Sequence, residues 1–97
     1  MSAPRELSSA GMGVFIDDFE TFVALKEKRA IADFCIANGI SNTGGANWRA
    51  GNIEKIIKNK ELLLKCLHYI AYQSRKATLS QKNKANDLFR GYTAEQM

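Results

Sequence analysis

The chain has 97 residues, of which 45% are hydrophobic and 25% are charged, with one proline and two cysteines. This length and apolar fraction are typical of one folded domain with a single modest core. The lone proline and the scarcity of alternating apolar and polar runs argue against an all-β fold. No stretch approaches the roughly 18 consecutive apolar residues that a membrane span needs, and the start has no signal-peptide pattern. We therefore expect an all-α, cytoplasmic protein with no membrane partner.

The formal net charge is +4, but it is unevenly distributed. Residues 1–33 carry four basic and six acidic side chains, whereas residues 34–97 carry ten basic and four acidic side chains. A basic second half favours an anionic partner for that part of the chain.

Residues 1–13 show no apolar period and are rich in Ser, Ala and Gly, which predicts a flexible N-terminal arm. A first helix is expected over residues 14–27, where Phe15, Phe19, Phe22 and Val23 share one face. We expect these phenylalanines to pack in the core, and the alternative is a partner or dimer interface.

A second helix is expected over residues 29–38, with Ala32 and Asp33 toward solvent and Asn38-Gly39 as a left-handed stop. One continuous helix over residues 14–38 is an alternative. The polar stretch at residues 41–45 predicts a turn, and Ile53, Ile56 and Ile57 predict a third helix over residues 49–58.

A fourth helix is expected over residues 60–76, and Asn59 suits either the end of the third helix or the cap of the fourth. Thr78-x-x-Gln81 fits a capping box for a last helix that ends near Arg90, with Gly91 as its stop and Leu79 among its core residues. The prediction is a compact bundle of four to five short helices over residues 14–91, followed by a tail over residues 92–97.

Catalytic and metal-binding patterns are not evident in the sequence. His68 is the single histidine and has no assignable acid-base partner, and the glycines do not match phosphate-cradling spacings. Cys35 and Cys66 lie in apolar helical stretches, so we expect reduced core cysteines rather than a disulfide or a metal site. The sequence predicts a protein that is not an enzyme and uses no cofactor.

The second and third predicted helices, with their glycine-containing turn, suggest a helix-turn-helix-like hairpin that presents residues 49–58 to the major groove of double-stranded DNA. Arg49 can pair bidentately with guanine and Asn52 with adenine. Trp48 is expected to anchor the core. The remaining candidates are Lys55, Lys58 and Lys60, which are expected at phosphates, and Thr43 and Asn47, which are expected at the DNA backbone or in the minor groove.

Residues 30–59, AIADFCIANGISNTGGANWRAGNIEKIIKN, resemble the helix-turn-helix part of the recombinase domain of large serine recombinases. That family shows A-I-A-x-x-L-N-x-x-G-I, a Thr/Gly loop, and then W-x-x-x-x-V-x-x-I-L-x-N. The matching residues are Ala30, Ile31, Ala32, Asn38, Gly39, Ile40, Thr43, Gly44, Gly45, Trp48, Ile53, Ile56, Ile57 and Asn59. Lys60-Glu61-Leu62 replaces the proline and aromatic residue that often follow, and no catalytic serine domain is present. The resemblance implies DNA-binding geometry, as in a phage or mobile-element regulator, without recombinase activity.

Two other functions fit parts of the pattern. The acidic, phenylalanine-rich first helix and a basic face suit a protein-interaction module, such as a phage-encoded inhibitor or an adaptor of a host protein complex. Lys82, Lys84 and Arg90 on the last helix suit RNA binding. The DNA-binding hypothesis itself predicts a homodimer.

Overall fold

The computed structural model describes residues 3–94, and all regular structure in that range is helical, as predicted. It forms seven α-helices rather than the four to five expected. They are α1 Arg5–Ala10, α2 Met12–Asp17, α3 Phe19–Leu25, α4 Lys28–Ala37, α5 Thr43–Lys58, α6 Lys60–His68 and α7 Leu79–Ala94. The segment Tyr69–Gln73 continues α6 as one π-helical turn. No helix within residues 3–94 is long and apolar enough to cross a bilayer.

The N-terminal segment forms a helix where the sequence predicted a flexible arm. Leu7 and Ala10 are fully buried, and α1 packs against α5. Residues three apart share one face of a helix, so a single leucine and a single alanine suffice to anchor this short element. Gly11, at φ +88°, ends α1 and starts α2. The prediction of a flexible arm is therefore wrong for Arg5–Ala10, which is helical. Residues 1 and 2 of the predicted arm lie outside the described range.

The segment predicted as the first helix forms two helices, α2 and α3, because the helical conformation is interrupted at Asp18. Phe15, Phe19 and Phe22 are at most 2% exposed. Phe15 and Phe19 meet edge to face, with 5.5 Å between ring centroids. These rings fill the core of the single chain and leave no phenylalanine surface for a partner. The continuous helix over residues 14–38 is also excluded, because Lys26 adopts a left-handed conformation at φ +65° between α3 and α4.

Helix α4 ends as predicted. Asn38 is its C-cap, Gly39 takes φ +69°, and the Ile40 amide donates back to the Cys35 carbonyl oxygen at 2.9 Å. Ala32 was expected to face solvent, but it is only 4% exposed and packs in the core.

The two cysteines confirm the expectation of free core thiols. Cys35 and Cys66 are both buried and form no disulfide. Burial raises the pKa of Cys66 to about 12 and also raises the pKa of Cys35, so both thiols stay protonated near neutral pH.

Helix α5 begins six residues before the predicted start at residue 49. The Asn42 side-chain oxygen accepts a hydrogen bond from the Gly45 amide at 2.7 Å, which satisfies one of the free amides of the first turn. The predicted turn at residues 41–45 thus contains the first turn of the helix. The inner face of α5 buries Ala46, Ala50, Asn52, Ile53 and Ile56.

Helices α6 and α7 both begin at predicted caps. The Asn59 side chain accepts from the Leu62 amide at 3.1 Å. Thr78 and Gln81 exchange reciprocal bonds of 3.0 and 3.1 Å, which confirms the capping box. Two details of α7 are corrected. It passes through Gly91 to Ala94, so residues 92–94 of the predicted tail are helical, and Leu79 is 75% exposed rather than part of the core.

Candidate nucleic-acid interface

The outer face of α5 carries the largest exposed aromatic side chain of the described chain. Trp48 is 61% exposed, which corrects its prediction as a core anchor. Successive helical residues are rotated by about 100°, so a helix that turns Ala46, Ala50 and Ile53 inward places Trp48 outward. Lys55, seven residues later, lies on the same outer face and is also exposed.

A hollow of about 490 Å³ opens on one side of Trp48, between α1, α4 and α5. Each helix contributes one cation to its lining, namely Arg5, Lys28 and Lys55. Within residues 3–94 no carboxylate forms a salt bridge with any of the three, although Glu6 also lines the hollow. Because these three cations face only the Glu6 carboxylate in the lining, the residues that line the hollow carry a net positive charge.

Gly51 allows the lysine from α4 to approach α5. A Cβ atom at Gly51 would lie 3.5 Å from Cε of Lys28. The Lys28 side chain therefore runs over the bare backbone at this position, which brings its ammonium group toward the hollow that Lys55 also lines.

A second, smaller hollow of about 350 Å³ opens on the other side of Trp48. Its lining includes Arg49, which is half-buried. The Arg49 guanidinium lies beside Gly11, where an added Cβ would be 3.5 Å from Nη1. The indole of Trp48 thus stands between two hollows that both carry cations. We call Arg5, Lys28, Asn47, Trp48, Arg49 and Lys55 the Trp48 surface.

Asn52 does not extend toward a partner as the sequence analysis expected. It is 8% exposed, and its amide nitrogen donates to the Trp48 carbonyl oxygen at 2.9 Å. Burial and the bond to its own helix leave little of this amide exposed for pairing with the edge of an adenine, although Asn52 does line the hollow beside Trp48. The conformation of Asn52 therefore disfavours the predicted contact with a base.

Lys58 is held by carboxylates of its own chain. Its Nζ lies 3.3 Å from Glu27 and 3.4 Å from Glu54. The hydrogen bonds that Lys58 donates to Glu27 and to Glu54 raise the pKa of Lys58. Its ion pairs make Lys58 a weaker phosphate ligand than Lys55, because a phosphate must displace two carboxylates from it.

Thr43 and Lys60 are exposed but line neither of the two hollows beside Trp48. Thr43 is the first residue of α5, and Lys60 is the first residue of α6, beyond the opposite end of α5. At 1.5 Å of rise per residue, Lys58 lies roughly 15 Å along α5 from Trp48. The predicted cations therefore separate into Lys55 and Arg49 beside Trp48 and Lys58 and Lys60 at the far end.

Arg5 and Lys28 are the surface residues that the sequence analysis missed. They lie on α1 and at the start of α4, and only the tertiary packing of both helices on α5 brings them beside Trp48. The available signal was the Leu7 and Ala10 pair, whose spacing of three residues indicates a helical face in the segment predicted as flexible.

No family model matches this chain, and neither a curated protein nor a solved structure is detectably similar to it. Its function must therefore be inferred from the surface itself.

Proposed function

We propose that this chain is a small, non-enzymatic DNA-binding protein that contacts DNA through the Trp48 surface. The observation that supports this most strongly is the convergence of Arg5, Lys28 and Lys55 on one hollow with no salt-bridged carboxylate among the described residues. Lysine and arginine side chains bind phosphates and release condensed counterions, and this release supplies most sequence-independent affinity for DNA.

On this proposal α4 and α5 are the helix-turn-helix pair. They pack against each other and are joined by residues 38–42. Helix α4 braces, while α5 presents the face that holds Asn47, Trp48 and Lys55. This face differs from the one expected from the sequence, because Asn52 is bonded internally and Arg49 is recessed. The resemblance to serine recombinases suggests a regulator of a phage or mobile element as the biological setting.

The protein-interaction alternative loses one of its two supports, the first helix, and keeps the basic face. It relied on a phenylalanine face of the first helix, and Phe15, Phe19 and Phe22 are at most 2% exposed. The acidic residues of that region are also engaged, since Glu20 pairs with Lys84 at 2.8 Å and Asp17 accepts from Gln81 at 3.1 Å. These contacts favour a structural role for that segment.

The proposal is tested by measuring the affinity for labelled duplex DNA between about 50 mM and 200 mM salt. If three cations contact phosphates, log K should fall with log salt at a slope of about −3. Arg5→Ala, Lys28→Ala and Lys55→Ala should each reduce the magnitude of that slope by about 1.

Lys65→Ala is the matched control, because Lys65 lies on α6, is paired with Glu61 at 3.6 Å, and has the same charge. Equal losses for Lys65→Ala and Lys55→Ala would show non-specific attraction to a basic protein and would contradict the proposed surface. A salt-independent interaction would contradict DNA binding altogether.

A further inference from the structure

The exposed indole ring of Trp48 has few neighbouring side chains. Its ring makes no aromatic contact within residues 3–94. On a helix, the surface neighbours of a residue lie three and four positions away. For Trp48 three of those four neighbours are glycines, Gly44, Gly45 and Gly51. The indole therefore has almost no flanking side chains from its own helix.

Two of these glycines already face a neighbouring side chain. An added Cβ at Gly45 would lie 3.2 Å from Oδ1 of the Asn42 cap, and one at Gly51 would lie 3.5 Å from Cε of Lys28. Gly44 has no such close neighbour, because its added Cβ would meet nothing closer than 3.7 Å, and its φ is not positive. Glycine is the poorest helix former after proline, so Gly44 weakens the helix relative to alanine and leaves space on α5 beside the exposed indole.

From the open indole and the cations on both of its sides, we infer that Trp48 is a stacking platform for an unpaired base, so the Trp48 surface binds single-stranded nucleic acid in preference to a duplex. This inference rests on the proposed binding of DNA through the Trp48 surface, and it makes a single strand, in place of the duplex, the preferred ligand of that surface. Aromatic side chains beside a cationic groove are the common means of binding single strands, because every base presents a flat π-face.

The arrangement of charges fits one strand that crosses the indole. A stacked base is flanked by a phosphate on each side, and the two hollows provide a cation for each. Arg5, Lys28 and Lys55 lie on one side, and Arg49 lies on the other. Inside a duplex the base faces are covered by their neighbours, so away from the two ends the indole could reach one only by unstacking a base step, which costs free energy.

The chain has one tryptophan, so its intrinsic fluorescence reports Trp48 alone. We would titrate the full chain with oligo(dT) and oligo(U) of about 12 nucleotides and with a blunt duplex of the same length. The expected result is saturable quenching by the single strands and weaker binding of the duplex. A stronger response to oligo(U) than to oligo(dT) would identify RNA as the source of the strand and would overturn DNA as the proposed ligand.

Substitutions can separate the contribution of base stacking to binding from the contribution of the cations. Trp48→Ala should weaken binding of oligo(dT), followed by anisotropy of a labelled strand, by about tenfold or more while leaving the salt slope unchanged. Trp48→Phe should recover most of the affinity. Gly44→Leu should block the ring and weaken binding, whereas Gly91→Leu adds the same side chain to a remote, open position of α7 and should not.

Circular dichroism of each variant would verify that it is folded. Binding of the duplex at least as tight as that of oligo(dT), or unchanged affinity of Trp48→Ala, would overturn the stacking inference while leaving the proposed DNA binding intact. Failure of every nucleic acid to bind would instead overturn the proposed function.

Discussion

Helices α5 and α7 have the same length, 16 residues each, but very different surroundings. Helix α5 contacts α1, α3, α4 and α6, and five of its residues are buried. Helix α7 lies at the edge of the molecule and has one buried residue, Ala85. Contacts with neighbouring helices therefore decide how much of each helix is buried, and length decides little.

The two helices also differ in the state of their lysines. On α7, Lys84 donates to the Glu20 carboxylate at 2.8 Å and to the Asp17 carbonyl oxygen at 3.1 Å, so it joins α7 to α2 and α3. On α5, Lys55 has no salt-bridge partner among residues 3–94. Lys84 thus helps to attach α7 to its neighbours, whereas Lys55 leaves its charge to solvent. Lys58 of α5 resembles Lys84 in this respect, because it pairs with Glu27 and Glu54.

The largest expected difference between α5 and α7 is the stability lost when an apolar residue of each helix is replaced by alanine. Ile53→Ala in α5 removes a fully buried side chain and should lower the free energy of unfolding by about 2–5 kcal/mol. Leu88→Ala in α7 removes a partly buried side chain and should cost less than half as much. Urea unfolding measures both variants. Equal losses would show that α7 is as central to the core as α5.

The features of these helices that could be predicted from the sequence are those fixed by local hydrogen bonds. The Asn38-Gly39 stop and the Thr78–Gln81 box each involve residues a few positions apart, and both formed as expected. The start of α5 was not predicted. The low helix propensity of Gly44 and Gly45 pointed to a loop, while the Asn42 cap and the packing of Ala46 outweigh that propensity.

The candidate site was less predictable than the fold, since it depends on which helices pack together. Sequence patterns identified Lys55 and Arg49, but Arg5 and Lys28 reach Trp48 only through tertiary packing on α5. Trp48 itself was assigned to the core because tryptophan is usually well buried. Its exposure follows from the register that Ala46, Ala50 and Ile53 impose on α5.

The next largest effect is expected when the N-terminal cap of each helix is removed. Asn42→Ala at the start of α5 should lower the free energy of unfolding by about 1 kcal/mol, as should Thr78→Ala at the start of α7. The loss of helicity should differ, because only α5 continues with two glycines, Gly44 and Gly45, which favour fraying. Far-ultraviolet circular dichroism at low temperature measures this. An equal loss of helicity would indicate that Ala46 and α1 hold the first turn without the cap.

Alanine substitution of glycine should give a smaller effect of opposite sign. Gly91 in α7 has a helical neighbourhood, and an added Cβ would meet nothing within 4 Å. Gly91→Ala should therefore raise the free energy of unfolding by about 0.5–1 kcal/mol. Gly51→Ala in α5 places its Cβ 3.5 Å from Lys28, an ordinary contact, and should give a similar gain. Only Gly51→Ala should alter nucleic-acid binding, because Gly51 lines the hollow beside Trp48 and Gly91 does not.

The smallest expected effect is the loss of stability in acid. It depends on the carboxylates that join α5 and α7 to neighbouring helices. Glu54 of α5 accepts a hydrogen bond from the Lys28 amide at 2.7 Å, and this bond, together with Lys58, lowers the pKa of Glu54 below 4.5. At Glu20 partial burial raises the pKa, but the hydrogen bond and charge of Lys84 outweigh it, so the pKa is also lowered.

A carboxyl whose pKa is lower in the folded chain stabilises the fold above its unfolded value, and this stabilisation is lost as the pH falls through the folded value. The melting temperature should therefore decrease as the pH drops below about 4.5. Glu54→Gln should flatten this acid limb by weakening the attachment of α5 to α4, and Glu20→Gln should do so by weakening the attachment of α7 to α3. Glu61→Gln is the control, because Glu61 pairs with Lys65 on its own helix and joins no two helices. If Glu61→Gln flattens the limb as much as Glu54→Gln, the acid response reflects net charge, and the two interhelical carboxylates have no special part in it.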